Sequence, residues 1–170
     1  MGKLWPVLVF ASACGCGLVG GAFFAFSSFV MAALAKLPPQ QGVAAMQSIN
    51  VVVINRSFMT PLFGTALLCL AVAGLSLADW QRPGAAWALA GGLTYMIGTV
   101  GVTIAFNVPR NDALAPLDPA SAEAADVWAR YLREWTAWNT VRTIAATAAM
   151  AALIIALVKG ASAPSPTGGG

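Results

Sequence analysis

Charge is missing from four long stretches of this chain, and apolar residues fill them. A helix rising 1.5 Å per residue needs about 20 apolar residues to cross roughly 30 Å of hydrocarbon. Residues 4–35 carry no charge and stop at Lys36-Leu37-Pro38-Pro39. Residues 57–78, between Arg56 and Asp79, and residues 85–106, between Arg82 and Asn107, are likewise uncharged. The fourth stretch, residues 139–158, ends at Lys159 and holds Arg142 one turn inside its start. Lipid tolerates only backbone that hydrogen-bonds within itself, so each stretch predicts a transmembrane helix. The first is longer than a bilayer needs and is expected to tilt or to kink near Gly20-Gly21, with Phe24, Phe26, Ser27 and Ser28 toward the mouth of the bundle. Ala11-Ser12-Ala13 before Cys14 has the look of a lipoprotein signal, but the apolar run continues unbroken to Ala35, which favours an intact span.

The polar segments add one more element. Pro109, in Asn107-Val108-Pro109-Arg110-Asn111-Asp112, is expected to block the third helix and open a loop. A new helix is expected from Ser121 as N-cap, with Glu123 and Asp126 in its early turns. Asp126, Arg130 and Glu134 sit four apart, as in an exposed charge ladder. Trp128, Tyr131, Trp135, Trp138 and Arg142 recur at three and four residues and form one stripe, either an interfacial aromatic face or a wall for stacking a ligand. The fold expected is all-α: a four-transmembrane-helix bundle forming one membrane domain over residues 1–159, with an amphipathic interfacial helix before the fourth span. Residues 160–170, rich in Gly, Ser and Pro, are expected to be a disordered tail. Gly17, Gly21 and Ala25 in the first span, and Ala145, Ala149 and Ala148, Ala152 in the fourth, predict close packing faces, with a homo-oligomer contact as their second use.

Four crossings return both termini to one side, so residues 36–56 and 107–138 share the other. That face collects Gln47, Asn50, Asn55, Arg56, Asn107, Arg110, Asn111, Asp112, Glu134, Asn139 and Arg142. The terminal face has Lys3, Asp79, Gln81, Arg82 and Lys159. Its basic residues are the more densely spaced, which points to cytoplasmic termini in a cell-membrane protein, although the polar face holds the larger number.

Composition then removes whole classes of function. Only 9% of the 170 residues are charged and 59% are hydrophobic, against roughly 25% charged in a soluble domain, which excludes a soluble enzyme. There is no histidine, so a histidine-based metal, haem or triad site is excluded. Cys14, Cys16 and Cys69 lie inside apolar runs and read as packing residues rather than ligands. The net charge of +3 comes from scattered residues and gives no argument for nucleic acid. No metal or cofactor is expected, and the partners expected are the lipid bilayer and a hydrophobic aromatic small molecule.

Arg56 and Arg142 each stand within a few residues after an Asn at the entrance to an even-numbered span. Snorkelling to lipid phosphate is one use of such arginines. Two cations aimed inward with amides beside them would instead cradle a phenolate, enolate or carboxylate.

Four fragments at the span boundaries resemble the anthrone-oxygenase-like family of small four-span membrane proteins. They are Gly21-Ala22-Phe23-Phe24-Ala25-Phe26-Ser27; Met46-Gln47-Ser48-Ile49-Asn50 with Asn55 to Phe58; Asn107-Val108-Pro109-Arg110-Asn111-Asp112; and Trp135-Thr136-Ala137-Trp138-Asn139-Thr140-Val141-Arg142. The resemblance spans nearly the whole chain to about residue 158. It implies cofactor-independent oxygenation of an acidic phenolic or polyketide-type substrate, as characterised fungal members turn an anthrone into an anthraquinone. On that reading Asp112 or Glu134 is the base. Gln47, Asn50, Asn55, Arg56, Asn107, Asn111, Asn139 and Arg142 bind substrate, and Trp135 and Trp138 stack on its rings. The alternative is a non-enzymatic small-molecule binder or accessory membrane protein.

Overall fold

The computed structural model describes residues 4–162, and within them the chain is helical from end to end apart from short turns. Helix α1 is Leu4–Leu34, α2 is Pro39–Val52, α3 is Arg56–Ala78, α4 is Ala85–Leu114 and α5 is Ala124–Ala161. All but α2 are long and apolar enough to cross a membrane. They pack as a ring, α1 on α3, α3 on α4, α4 on α5 and α5 on α1, with α2 lying against α5 and the end of α4. Outward positions such as Leu18, Leu67, Ile97 and Ile144 are exposed, as lipid-facing residues are. Small and medium side chains fill the ring's interior, among them Val9, Cys16, Val19, Cys69, Val72, Ala146 and Leu153. A second cluster, Met31, Val43, Met46, Leu114, Trp128, Tyr131 and Trp135, closes the polar end.

The two distant polar stretches do meet. Gln47 of α2 donates from Nε2 to the carbonyls of Leu114 (3.0 Å), the last residue of α4, and of Leu117 (2.8 Å), just beyond it. Carbonyls at a helix end have no partner inside the helix, and a side-chain amide there pins one element to another. The approach of α2 to α5 needs Gly42, because a Cβ at that position would lie 2.7 Å from Nε1 of Trp128. Gly42→Val is therefore expected to lower stability by about 1–3 kcal/mol, seen as a depressed unfolding midpoint in detergent. An unchanged midpoint would mean that α2 does not rest on α5.

Several local expectations give way to tertiary structure. Pro109 does not end the third helix, which continues to Leu114. A π-helical turn at Thr103–Asn107 widens the helix just before it, with the Val108 N–H bonding to the carbonyl of Thr103. The lost Pro N–H is absorbed in that irregular stretch, and Arg110 donates back to the carbonyl of Phe106 (2.8 Å). Ser121 does not cap a helix: α5 starts at Ala124 with no side-chain cap, after a turn in which Asp118 accepts from the Ala120 N–H (2.9 Å). The aromatic stripe lies on the first half of α5 itself, with no break before the fourth span. Glu134 pairs with Arg110 (3.1 Å) rather than with Arg130. In α1 the irregular turn is Phe26–Val30, not Gly20-Gly21. Gly21 is exposed, and Gly20, against Ala146, makes the close approach to α5. Ala145 and Ala149 are buried but Ala148 is exposed. Helix α5 runs through Gly160 and Ala161, and the rest of the expected tail, residues 163–170, lies outside the described residues, as does Lys3.

Candidate functional site

A cavity of about 950 Å³ opens at the polar end of the ring, walled by α1, α2, α3, α4 and one face of α5. Its walls are mostly apolar, including Phe23, Phe26, Met46, Phe58, Met59, Leu62, Val100 and Trp135. Its polar contributors are Gln47, Asn50, Thr103, Asn111, Asp112 and Arg142.

Arg142 is the buried charge in this setting, 5% exposed. Its guanidinium donates to Asn139 Oδ1 (2.7 Å) and to Thr103 Oγ1 (3.2 Å), and Nε has no partner. It lies over the ring of Phe23, 4.1 Å from the centroid, and 5.2 Å from that of Trp135. Among the described residues no carboxylate forms an ion pair with it. A buried charge normally has a counter-ion, because desolvating it costs several kcal/mol. Here the protein supplies only neutral acceptors and aromatic faces.

Asn139 fixes this arrangement. It is fully buried, donates from Nδ2 to the Phe23 carbonyl and to Ser27 Oγ, both at 2.7 Å, and accepts from Arg142. Ser27 lies in the irregular turn of α1 and Thr103 in the second of two such stretches of α4, Met96–Gly101 and Thr103–Asn107, so π-helical turns of both helices flank the guanidinium. Such turns carry backbone oxygens off the regular ladder, which in lipid must find side-chain donors. Thr103 donates to the carbonyl of Thr99 (2.7 Å) and Ser28 to that of Phe24 (2.7 Å).

At the mouth, Tyr131 donates to Asn111 Oδ1 (2.8 Å) and accepts from Asn50 Nδ2 (3.5 Å), tying together α2, α4 and α5. Asp112 is exposed and lines the cavity. Of the residues singled out in the sequence, six therefore meet at the cavity: Gln47, Asn50, Asn111, Asp112, Trp135 and Arg142. Asn139 stands directly behind Arg142.

The others stand elsewhere. Asn55 caps α3, accepting from the Phe58 N–H (3.1 Å) and donating to the Val52 carbonyl (2.7 Å). Arg56 is exposed, does not line the cavity and makes no hydrogen bond or ion pair among the described residues. Asn107 is buried and donates to the Trp135 carbonyl (3.2 Å), with its own Oδ1 unpartnered. Trp138 stacks on Phe106, ring centroids 3.6 Å apart, outside the cavity lining. Glu134 is held by Arg110.

Thr103, Phe23 and Ser27 hold the site without having been assigned a role in it from sequence. A threonine inside an apolar run is ordinarily bonded to its own helix, as Thr103 also is, so no local signal marks its second partner.

Compared with known families, residues 52–152 match the family model described as anthrone oxygenase. That stretch covers more than half of the chain and takes in α3, α4 and most of α5, and with them Asn111, Asp112, Asn139 and Arg142. Helix α1 and Gln47 and Asn50 of α2 precede it. No curated protein and no solved structure matches the chain.

Proposed function

The chain belongs to the anthrone oxygenase family, and from that premise we propose that it oxygenates an acidic, ring-bearing hydrophobic substrate in the cavity at the polar end of the bundle. One observation carries the reading: Arg142 is a buried cation whose own partners are neutral, on the wall of a mostly apolar cavity. A substrate anion is the counter-ion it lacks. An enolate oxygen placed at the guanidinium gains charge-assisted hydrogen bonds in a setting of low dielectric.

The chemistry follows from the substrate's acidity. Asp112 removes a proton from the activated methylene carbon, and Arg142 holds the resulting enolate oxygen. The carbanion adds to dioxygen, forming a carbon–oxygen bond and a peroxide. Loss of the second proton from the same carbon then breaks the oxygen–oxygen bond, leaving a new carbonyl and releasing the other oxygen as hydroxide. Overall one CH₂ and one O₂ become one C=O and one water, with four electrons passing from carbon to oxygen. Asp112 fits the base better than Glu134, since it lines the cavity and Glu134 is engaged by Arg110. Trp135, Phe23 and Phe58 offer ring faces to an aromatic substrate.

Dioxygen uptake by an anthrone in the presence of the purified protein in detergent tests this directly. The rate is expected to exceed that of buffer, and Asp112→Asn is expected to reduce it by about 10²–10⁴-fold, the usual worth of a positioned base. Uptake no faster than in buffer would overturn the enzyme reading, and binding without turnover would leave a small-molecule binder.

A further inference from the structure

The cavity has an apolar flank as well as a polar mouth. Helices α3 and α4 are joined by a hydrogen bond from the Tyr95 hydroxyl to the Leu62 carbonyl (3.1 Å). At the level of that bond and on its polar side, residues of both helices face the cavity, and several of them are open to the outside as well. Phe63 is 53% exposed, Ile104 64% and Val108 41%, and all three line the cavity. Phe63 lies two turns, about 10 Å, inside the charged start of α3 at Arg56, and Ile104 lies about 15 Å from the end of α4. These levels belong to the hydrocarbon, since Arg56 marks the polar boundary. An apolar side chain at such a level meets lipid tails, and a cavity it lines is open to them.

We propose that the ligand enters sideways from the bilayer, between α3 and α4, and is a lipid-dissolved amphiphilic anion: an apolar body that passes Phe63 and Ile104, and an acidic head that stops at Arg142. This rests on Arg142 being the anion site and adds where the anion comes from. A water-borne acid would enter by the polar mouth, beside the Gln47, Asn50, Asn111 and Tyr131 contacts that hold α2 to α4 and α5, and would pass the exposed carboxylate of Asp112 before it reached the guanidinium. A lipid-dissolved one approaches along apolar side chains and loses water only from its head, where a cation waits. The product, once formed, returns to the bilayer by the same route.

The test uses the full chain in nanodiscs of zwitterionic lipid and a fluorescent long-chain carboxylate, dansyl-undecanoate, followed by stopped flow. The association rate is expected to follow the probe's mole fraction in the bilayer. Phe63→Trp and Ile104→Trp, both at lipid-exposed positions that tolerate bulk, are expected to narrow the entrance and slow association and dissociation together. Arg142→Gln is expected to weaken equilibrium binding by about tenfold or more, the range for a lost charge-assisted bond. A rate that follows the free aqueous probe and is indifferent to both tryptophans overturns the side entrance while the Arg142 site stands. Binding by Arg142→Gln as tight as that of the unaltered protein overturns the anion site itself.

Discussion

Replacing Arg142 by methionine is expected to remove anion binding while leaving the unfolding midpoint of the empty protein close to its original value. The two halves have separate physical origins. A charge-assisted hydrogen bond contributes about 1.5–3 kcal/mol, so its loss corresponds to about a ten- to hundredfold weaker affinity. For the empty protein, burial of an arginine inside a transmembrane helix costs on the order of 2.5–3.5 kcal/mol on insertion scales, and here no carboxylate offsets it. Methionine relieves that cost but leaves Asn139 Oδ1 and Thr103 Oγ1 without their donor, at about 1–3 kcal/mol for a buried acceptor. The opposing changes nearly cancel. An arginine that served only to hold helices together would give a different result, a large drop in the midpoint, and calorimetry in detergent beside a titration with an anionic probe separates the two.

The second large effect is at Asn139, where stability and binding are expected to fall together. Asn139→Leu removes the donor to the Phe23 carbonyl and one of the two donors to Ser27 Oγ, which keeps the Thr140 hydroxyl (3.1 Å), and leaves one arm of Arg142 without its acceptor. At about 1–3 kcal/mol for each buried polar group left short of a partner, a loss of about 3 kcal/mol or more is expected. Asn139→Asp is the informative companion. It places a carboxylate beside the guanidinium, so the protein supplies its own counter-ion and an external anion is displaced. Its midpoint is expected to lie between those of Asn139→Leu and the unaltered protein, with anion binding lost as in Arg142→Met. Tight anion binding by Asn139→Asp would contradict the assignment.

These two residues also show what the sequence could reveal. The four spans are legible because each is a long uncharged run, and the meeting of the polar stretches follows from the even number of crossings. The pairing of Asn139 with Arg142 is legible too, since residues three apart on a helix share a face. The same reasoning separates Arg56 from Arg142, although each follows an Asn. Asn55 and Arg56 are adjacent, and an Asn immediately ahead of a helix is a cap, which is the use the structure gives it. What was not legible depends on distant partners. Pro109 reads as a helix stop because the π-helical turn that absorbs it carries no local mark. Glu134 fits a ladder on its own helix, yet its partner Arg110 stands on α4. Ser121 offers a cap that the turn around Asp118 displaces. Trp138 belongs to the same stripe as Trp135, but Phe106 covers its face before a ligand can.

The central claim is that Arg142 is buried without a carboxylate because an external anion completes it. The most direct measurement is the unfolding midpoint of the unaltered protein in nanodiscs with a hydrophobic carboxylate and, separately, with its methyl ester. The two share an apolar body and differ in the charge of the head. The account predicts that the acid raises the midpoint in a concentration-dependent way, as any ligand of the folded state does, and that the ester does so far less. Equal shifts from acid and ester would mean that the cavity binds apolar bulk and that Arg142 is not its anion site.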